Sequence, residues 1–368
     1  MKRRNFLSSG VAAGAAAGVA AAGFPAPAIT QERHEFTMVT TWPTGFPGLG
    51  TGAERLANRL ETMSEGRIRI NFFGAGELVP PFESFDAVTS DTADMMHATP
   101  YYWQGNHPAT NFMTAAPFGL TVVEHNAWMR YGGGQELWDE LYDGFGLKAW
   151  NAGNTTAQMG GWFPNELQGL DDLQGMNFRT AGLGGEAWRR LGMNVQTLPG
   201  GEIFQAMQAG TLDAAEWVGP WNDLALGLHR IHKHYYYPSL IEPSAALEFT
   251  VNKAKWQALP NDLQLMFQAT AEAENDIVAS EFYFQNKQAL DTLIANHEVQ
   301  LHQFPDEIIE ALARACAEVV AEVAEHDDIS RRVVDSLATF REDAIEWTAS
   351  AEQAFGIARQ LDIPYPAR

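Results

Sequence analysis

Strand and helix signals alternate along the first two thirds of the chain, in two successive blocks. In the first block, alternating apolar and polar residues at 67–72 predict one strand, and the apolar run at 94–99 predicts another. A helical spacing of apolar residues at 51–66 precedes these strands, and a second helical stretch follows at 135–141. This rhythm predicts an α/β fold of mainly parallel sheets with helices on their faces.

A second block of the same kind begins near Thr156. Its strands and helices are predicted in turn at 176–180, 184–191, 193–198, 201–210 and 213–218. The chain is then expected to return to the first block near 238–251. Two lobes joined by crossing strands would leave a cleft between them.

The last third of the chain is predicted to be helical. A helix beginning at Pro260 and running to about Ala295 would span roughly 50 Å, which is more than one lobe, so it could brace both. An apolar stripe follows, and a last long helix continues it with Val333, Leu337, Phe340 and Trp347; the stripe consists of Ile308, Ile309, Leu312, Cys316, Val319, Val320 and Val323. These helices either pack on their own domain or form a dimer contact, and both alternatives stay open.

The predicted organisation therefore has four parts after the amino-terminal segment: the first lobe, the second lobe, the connecting helix and the C-terminal helices. The boundaries are 34–154 with about 243–260 for the first lobe, 155–242 for the second, 261–296 for the connecting helix and 305–360 for the C-terminal helices.

Acidic residues outnumber basic ones, with 46 Asp and Glu against 24 Lys and Arg. Nucleic acid is excluded as a partner, because binding its phosphates relies on clustered Lys and Arg. An anionic membrane surface would be repelled for the same reason. The single cysteine, Cys316, excludes a disulfide framework and a cysteine-based metal site, and its place on the apolar stripe predicts a buried hydrophobic role.

The amino terminus reads as an export signal. Paired arginines, Arg3 and Arg4, stand before Phe6 and Leu7, a mildly apolar Ala/Gly stretch follows, and 26–28 offers small residues for cleavage. We therefore expect residues 1–28 to be a twin-arginine signal peptide and the mature chain to work in a periplasm.

Motifs of common enzyme classes are missing from the sequence, including the Gly-x-Ser-x-Gly elbow, the Walker A loop and His-Glu-x-x-His. The run Arg230–Tyr237 contains two histidines and three tyrosines, and we expect it to cover a surface or a lobe edge. The chain is therefore not expected to be an enzyme.

The second block carries a specific resemblance. The strand at 176–180 contains Arg179, and the helix at 201–210 is followed by Thr-Leu-Asp-Ala-Ala-Glu-Trp at 211–217. Together with the export signal and the long connecting helix, this unit resembles a solute-binding protein of a TRAP transporter, the tripartite ATP-independent periplasmic class, over about residues 34–360. In most members that bind dicarboxylates or sugar acids, Asp is followed by Gly, then Gln or Glu, then Asn-Pro. The Asp-Ala-Ala-Glu-Trp of this chain is instead similar to the subgroup that binds α-keto acids or other small monocarboxylates with a metal ion.

The resemblance implies a two-lobed periplasmic binding protein and a ligand set. Arg179 would grip a substrate carboxylate through paired hydrogen bonds. A metal cation would be held by the Glu216 and Glu242 carboxylates, the Gln158 amide oxygen and the Trp217 backbone carbonyl. Such a cation resolves the repulsion between two acidic side chains and an anionic substrate. Na⁺ is favoured because a shell of low charge releases it readily, and Ca²⁺ stays open.

Tyr101 and Tyr102 follow a strand of the first lobe, where ligands of open α/β sheets tend to sit, and we expect them to form a pocket wall. The expected function is capture of pyruvate or a longer 2-oxo acid for membrane subunits driven by an ion gradient. The alternatives are a 2-hydroxy acid such as lactate, or another carboxylate. Two rival classes are a binding protein of an ATP-driven importer, and a keto-acid lyase or isomerase with Glu216 as its base.

Overall fold

The structure is a computed structural model that describes residues 32–362, so the predicted signal peptide at 1–28 lies outside the described residues. The strands are β1 (His34–Thr40), β2 (Ile68–Phe73), β3 (Met95–Ala98), β4 (Leu147–Asn154), β5 (Gly161–Phe163), β6 (Asn177–Arg179), β7 (Asn194–Gln196), β8 (Ala214–Ala215), β9 (His234–Tyr237), β10 (Ala246–Asn252) and β11 (Gln300–Gln303). The helices are α1 (Leu49–Met63), α2 (Ser84–Thr89), α3 (Thr110–Thr114), α4 (Val122–Tyr131), α5 (Gly134–Asp143), α6 (Gly182–Arg190), α7 (Gly200–Gln208), α8 (Pro220–Leu226), α9 (Lys253–Gln257), α10 (Asn261–His297), α11 (Asp306–Ala324), α12 (Asp328–Thr348) and α13 (Ala354–Ala358).

The strands form two sheets, which confirms the predicted α/β class. The first has the order β2-β1-β3-β10-β4 and the second the order β11-β9-β5-β8-β6-β7. We call each sheet with the helices that pack on it a lobe. The strand predicted at 213–218 is shorter than expected, because only Ala214 and Ala215 pair with neighbours.

In each sheet one strand is antiparallel to all the others. In both cases it is the first strand after the chain crosses from the other lobe. β5 follows β4 of the first sheet and pairs antiparallel with β8 and β9. β10 follows β9 of the second sheet and pairs antiparallel with β3 and β4. Parallel neighbours need a long crossover, usually a helix, whereas these two strands are reached by short direct crossings. The crossing segments are 155–160 and 238–245.

Helix α10 braces both lobes, as its predicted length suggested. Its 37 residues extend for about 55 Å. In its first half, Glu274 accepts a hydrogen bond from the Nε of Arg55 on α1 at 2.7 Å. In its second half, the side-chain oxygen of Asn286 accepts from the backbone N–H of Trp221 at the start of α8, at 3.1 Å. The helix is therefore attached to the first lobe at one end and to the second at the other.

The C-terminal helices pack on their own chain. α11 lies on α6 of the second lobe, while α12 lies on α3, α4 and α5 of the first. The predicted apolar stripe is buried at Ile308, Leu312 and Cys316. Trp347 on the same stripe is 68% exposed, although the hydroxyl of the next residue, Thr348, still donates to Glu124 of α4 at 2.6 Å. Across residues 32–362, no helix is long and apolar enough to cross a bilayer.

The aromatic run Arg230–Tyr237 is exposed only at its two ends, so the expectation that it covers a surface or a lobe edge is correct in part. Tyr235 and Tyr236 lie on β9 and are fully buried. β11 pairs with β9 and covers it, so that β9 is not an edge strand. The Tyr235 hydroxyl donates to Asp223 at 2.6 Å, and this internal acceptor is what makes burial of the tyrosine possible.

Phe282 at the middle of α10 should contribute strongly to stability. It is buried against the Trp221 ring at 5.1 Å between centroids, and a side chain at Gly48 would overlap it. We expect Phe282→Ala to lower the free energy of unfolding by about 3–5 kcal/mol, measured by denaturant titration. Phe284→Ala, in the same helix but largely exposed, is the control and should change it by less than about 0.5 kcal/mol. Equal losses in the two variants would contradict the bracing role.

His97 on β3 should make stability depend on pH. Burial lowers the pKa of its imidazole to about 4, below the value of about 6.5 in an unfolded chain. The unfolded chain therefore takes up a proton first, and the stability present above pH 6.5 is lost as the pH falls towards 4. We expect the stability difference between wild type and His97→Gln to shrink by about 3 kcal/mol between pH 7 and pH 4. His326→Gln, at an exposed position, is the control, and a difference that stays constant for His97→Gln would contradict the prediction.

Candidate functional site

The register of the second sheet places Arg179 beside Glu216. Arg179 is the last residue of β6 and pairs with Ala215 of the parallel strand β8. The backbone N–H of Glu216 then donates to the carbonyl of Arg179 at 2.8 Å. Both side chains thus stand at the carboxyl ends of parallel strands, the edge where open α/β sheets bind ligands.

The Arg179 guanidinium is fully buried and held on three sides. Its Nε donates to the carbonyl of Leu198 at 3.1 Å, and its Nη1 donates to the carbonyl of Glu216 at 2.7 Å. The ring of Trp217 lies 4.8 Å from the guanidinium carbon, a cation–π contact. Its Nη2 has no hydrogen-bond partner among the described residues. The arginine is therefore fixed in place with one donor group to spare.

Two buried carboxylates share this region. Glu216 Oε2 lies 3.6 Å from Nη1 of Arg179 and accepts from the Thr180 hydroxyl at 3.0 Å. Burial, followed by the charge of Glu242, raises the pKa of Glu216 well above its usual range. Burial also raises the pKa of Glu242, although Arg179 opposes the shift. The pair holds more negative charge than a single guanidinium balances, which is costly in a buried site.

The two crossing segments meet in the same place. Gln158 lies on the crossing between β4 and β5, and Glu242 lies on the crossing between β9 and β10. The Gln158 Nε2 donates to Glu242 Oε1 at 3.1 Å and to the Thr155 hydroxyl at 2.8 Å. Since an ionised carboxylate only accepts hydrogen bonds, this assignment leaves the amide oxygen of Gln158 facing elsewhere, and it has no partner within residues 32–362.

Tyr101 and Tyr102 form the wall from the first lobe. They lie on a short 3₁₀ helix, Pro100–Trp103, directly after β3, and their rings contact each other edge to face at 4.8 Å. The Tyr101 hydroxyl helps to stabilise the ionised form of Glu242. All the site residues named from the sequence are therefore brought together.

A small cavity borders Tyr101, Tyr102, Gln158 and Trp217. Its volume is about 10 Å³, room for about one water molecule. It is lined by Trp42, Leu49, Thr99, Tyr101, Tyr102, Thr155, Gln158, Trp217, Val218, Ala245 and Leu247. A larger surface cleft between α4, α5 and α10 contains none of the predicted site residues.

Four buried polar atoms of the site residues lack hydrogen-bond partners in the described part of the chain: Arg179 Nη2, Trp217 Nε1, Gln158 Oε1 and Glu216 Oε1. Buried polar atoms are nearly always paired, so such a group calls for an explanation. The two nitrogens are donors, of which the guanidinium is suited to a carboxylate, and the two oxygens are hard acceptors of the kind that Na⁺ and Ca²⁺ prefer. The donor set therefore fits an organic acid together with a cation.

Sequence reasoning missed the polar residues that support this centre. Thr180 donates to Glu216, Thr155 accepts from Gln158, and His97 Nδ1 accepts from the indole N–H of Trp42 at 2.9 Å. A histidine inside the apolar run 94–99 was a visible signal. The two threonines gave no signal, because their roles depend on which segments the fold brings together.

Comparison with known proteins agrees with this chemistry. Residues 38–327 match the family described as bacterial extracellular solute-binding protein, family 7. A monocarboxylate 2-oxoacid-binding periplasmic protein from Nostoc sp. is 38% identical over 318 residues, covering 86% of this chain and 87% of that protein.

Two solved structures are similar over nearly their whole length. A TRAP transporter solute-binding protein from Bordetella bronchiseptica, a dimer with copurified calcium and picolinate, has a TM-score of 0.87 and 33% identity over 89% of this chain and 97% of that one. A TRAP periplasmic solute-binding protein from Pseudoalteromonas atlantica, with bound sodium and pyruvate, has a TM-score of 0.85 and 34% identity over 88% and 98%. The resemblance inferred from the sequence is thus confirmed, and these relatives are binding proteins rather than enzymes. The chain belongs to family 7 of the bacterial extracellular solute-binding proteins.

Proposed function

We propose that this protein is the periplasmic solute-binding subunit of a TRAP transporter and captures a small 2-oxo acid together with a metal cation. The observation that carries the proposal is the set of buried atoms that have no partner within residues 32–362, with Arg179 Nη2 as donor and the oxygens of Gln158 and Glu216 as acceptors. In this proposal Arg179 binds the substrate carboxylate. The cation is held by Gln158, Glu216, Glu242 and the backbone carbonyl of Trp217.

The ligands found with the two structural relatives support this substrate class. Pyruvate carries a carboxylate next to an oxo oxygen, and picolinate carries one next to a ring nitrogen. Both can chelate a cation through two adjacent donor atoms while the carboxylate also meets an arginine. A 2-hydroxy acid such as lactate has the same arrangement and is the second candidate. A plain fatty acid lacks the second donor atom.

Charge balance explains why a cation would bind with the acid. When ionised, Glu216, Glu242 and the substrate carboxylate carry three negative charges against the single positive charge of Arg179. Ca²⁺ would restore neutrality, and Na⁺ would leave one negative charge for surrounding dipoles to stabilise. The relatives with bound calcium and with bound sodium support testing both ions.

Binding would proceed by closure rather than by chemistry on the ligand. The two lobes would turn about the crossing segments, with Tyr101 and Tyr102 closing the cavity from the first lobe and Trp217 from the second. The closed form would then dock on the membrane subunits of the transporter. Energy for transport would come from an ion gradient through those subunits.

Ligand titration of the purified protein tests this proposal. We expect calorimetric binding of pyruvate that is strong with Na⁺ or Ca²⁺ and weak without either, and pyruvate should be recovered unchanged. Arg179→Lys keeps the charge but loses the planar set of donors, so it should weaken binding by about 10- to 100-fold. Arg189→Lys, on the exposed side of α6, is the matched control and should bind like wild type. Preference for dicarboxylates or sugar acids would overturn the substrate assignment.

Glu216→Gln tests whether acid and cation share one site. The amide keeps the size and one acceptor oxygen but loses the charge, so most of the gain in pyruvate affinity on adding Ca²⁺ should disappear. Glu202→Gln, on the surface of α7, should keep the full gain. Unaltered linkage between cation and acid in Glu216→Gln would remove this residue from the shell.

We also propose that the protein forms a homodimer through its C-terminal helices. Near the end of α12 and in the segment that follows it, large apolar side chains are exposed, namely Ile345, Trp347, Phe355, Ile357 and Leu361. An apolar groove between α11 and α12 is lined by Cys316, Val320 and Leu337 among others. A second copy can cover both features by a symmetric exchange of contacts, and the Bordetella relative was described as a dimer.

Light scattering after size exclusion tests the dimer. The wild-type chain should have twice the mass of one chain, and Phe355→Asp with Ile357→Asp should yield a monomer whose affinity for pyruvate is unchanged. A wild-type monomer at micromolar concentration would contradict the proposal.

A further inference from the structure

We propose that two buried carboxylates outside the ligand shell, Glu248 and Asp223, are positioning residues, one for each wall of the site. This inference rests on the proposed function. Each carboxylate accepts hydrogen bonds from one tryptophan and one tyrosine of its own lobe, and each is connected to a segment that lines the cavity. The sequence offered no sign of either role.

Glu248 anchors the wall of the first lobe. It lies on β10, is fully buried, and accepts from the Trp103 indole N–H at 2.5 Å, from the Tyr142 hydroxyl at 2.9 Å and from the Thr250 hydroxyl at 2.6 Å. Trp103 ends the 3₁₀ helix that carries both tyrosines of the cavity wall. A charge-assisted hydrogen bond on this residue fixes the end of that helix against the central strands of the sheet.

Asp223 performs the matching task in the second lobe. It lies in α8, is buried, and accepts from the Trp162 indole N–H at 2.9 Å and the Tyr235 hydroxyl at 2.6 Å. It also accepts from the backbone N–H of Val218 at 3.3 Å. Val218 lines the cavity and directly follows Trp217, so this bond sets the path of the chain where it passes the site.

Stability alone does not account for these two acids. Burial raises the pKa of Glu248 to about 7 and that of Asp223 to about 6, so both pay a desolvation cost. An apolar residue of similar volume is often as stabilising as a buried charge, whereas a fully satisfied polar network fixes one geometry. An apolar residue in place of Glu248 or Asp223 would lose the directional hydrogen bonds to the segment that forms the cavity wall.

Two donors to the same carboxylate provide a matched comparison. Trp103→Phe and Tyr142→Phe each remove one hydrogen bond to Glu248, but only Trp103 lies on the 3₁₀ helix that carries the two wall tyrosines. Both variants should have a lower midpoint of thermal unfolding. Because Trp103 shares its 3₁₀ helix with Tyr101 and Tyr102, we expect Trp103→Phe to weaken pyruvate binding in the presence of Ca²⁺ by about tenfold or more, and Tyr142→Phe to change it by less than about twofold. Equal effects of the two variants on affinity would overturn the positioning role.

Conservative replacement of the acids provides the second measurement. Glu248→Gln and Asp223→Asn each keep one of the two acceptor oxygens and should bind pyruvate within about threefold of wild type, while Glu248→Met and Asp223→Ala should lose about tenfold or more. Affinities are compared for folded protein, well below each midpoint. A Glu248→Met or Asp223→Ala protein that binds like wild type overturns the role of that acid. If Glu248→Met does not fold, Trp103→Phe decides the role of the acid in the first lobe. If Asp223→Ala does not fold, Asp223→Asn and Tyr235→Phe are titrated with pyruvate at a lower temperature. A larger loss of pyruvate affinity in Tyr235→Phe than in Asp223→Asn counts against Asp223.

The same titrations separate this inference from the proposed function. A wild-type protein that binds no 2-oxo acid under any cation condition overturns the function, and the positioning roles with it. A wild type that binds pyruvate, with no difference between the wall variants and their controls, overturns only the positioning roles.

Discussion

A buried guanidinium between two buried carboxylates is the constraint on which this structure depends. Arg179, Glu216 and Glu242 are almost completely removed from water, and the acids outnumber the base. A protein interior tolerates such a group only where hydrogen bonds and counter-charges compensate for lost hydration. The chain supplies part of that compensation through Thr180, Gln158 and backbone carbonyls. In the proposed site, the cation and the acid supply the rest.

The topology explains how residues distant in sequence reach one point. Parallel strands β6 and β8 bring Arg179 and Glu216 together at their carboxyl ends, and the direct crossings between the sheets bring Gln158 and Glu242 to the same edge. Helix α10 packs on both lobes, and α11 and α12 together form a second connection between the lobes. The lobes are therefore linked at several places around the site, while the cavity lies between them.

Local pattern predicted much of this fold. Helix α10 was predicted within a few residues, since a proline marks its start and its apolar spacing persists to the end. Arg179 and the acidic pair followed from resemblance to a family and could not have been placed by periodicity. The burial of Tyr235 and Tyr236 within the run Arg230–Tyr237 was not predicted. The acceptor for the Tyr235 hydroxyl lies on α8, and local sequence does not reveal such a partner. Trp347 belongs to the predicted stripe but is exposed, because apolar spacing indicates a helix face without telling which of its positions another element covers.

The position of Gln158 and Glu242 on the crossing segments has a consequence for how such a protein can diverge. In the proposed closure, Gln158 and Glu242 lie at the hinge between the lobes. The same two side chains form part of the proposed cation shell, and they are hydrogen-bonded to each other. Substitutions of these residues that change the ligand would also change how fast the protein opens and releases the ligand to the membrane subunits. Ligand specificity and the rate of uptake are therefore expected to change together in this architecture.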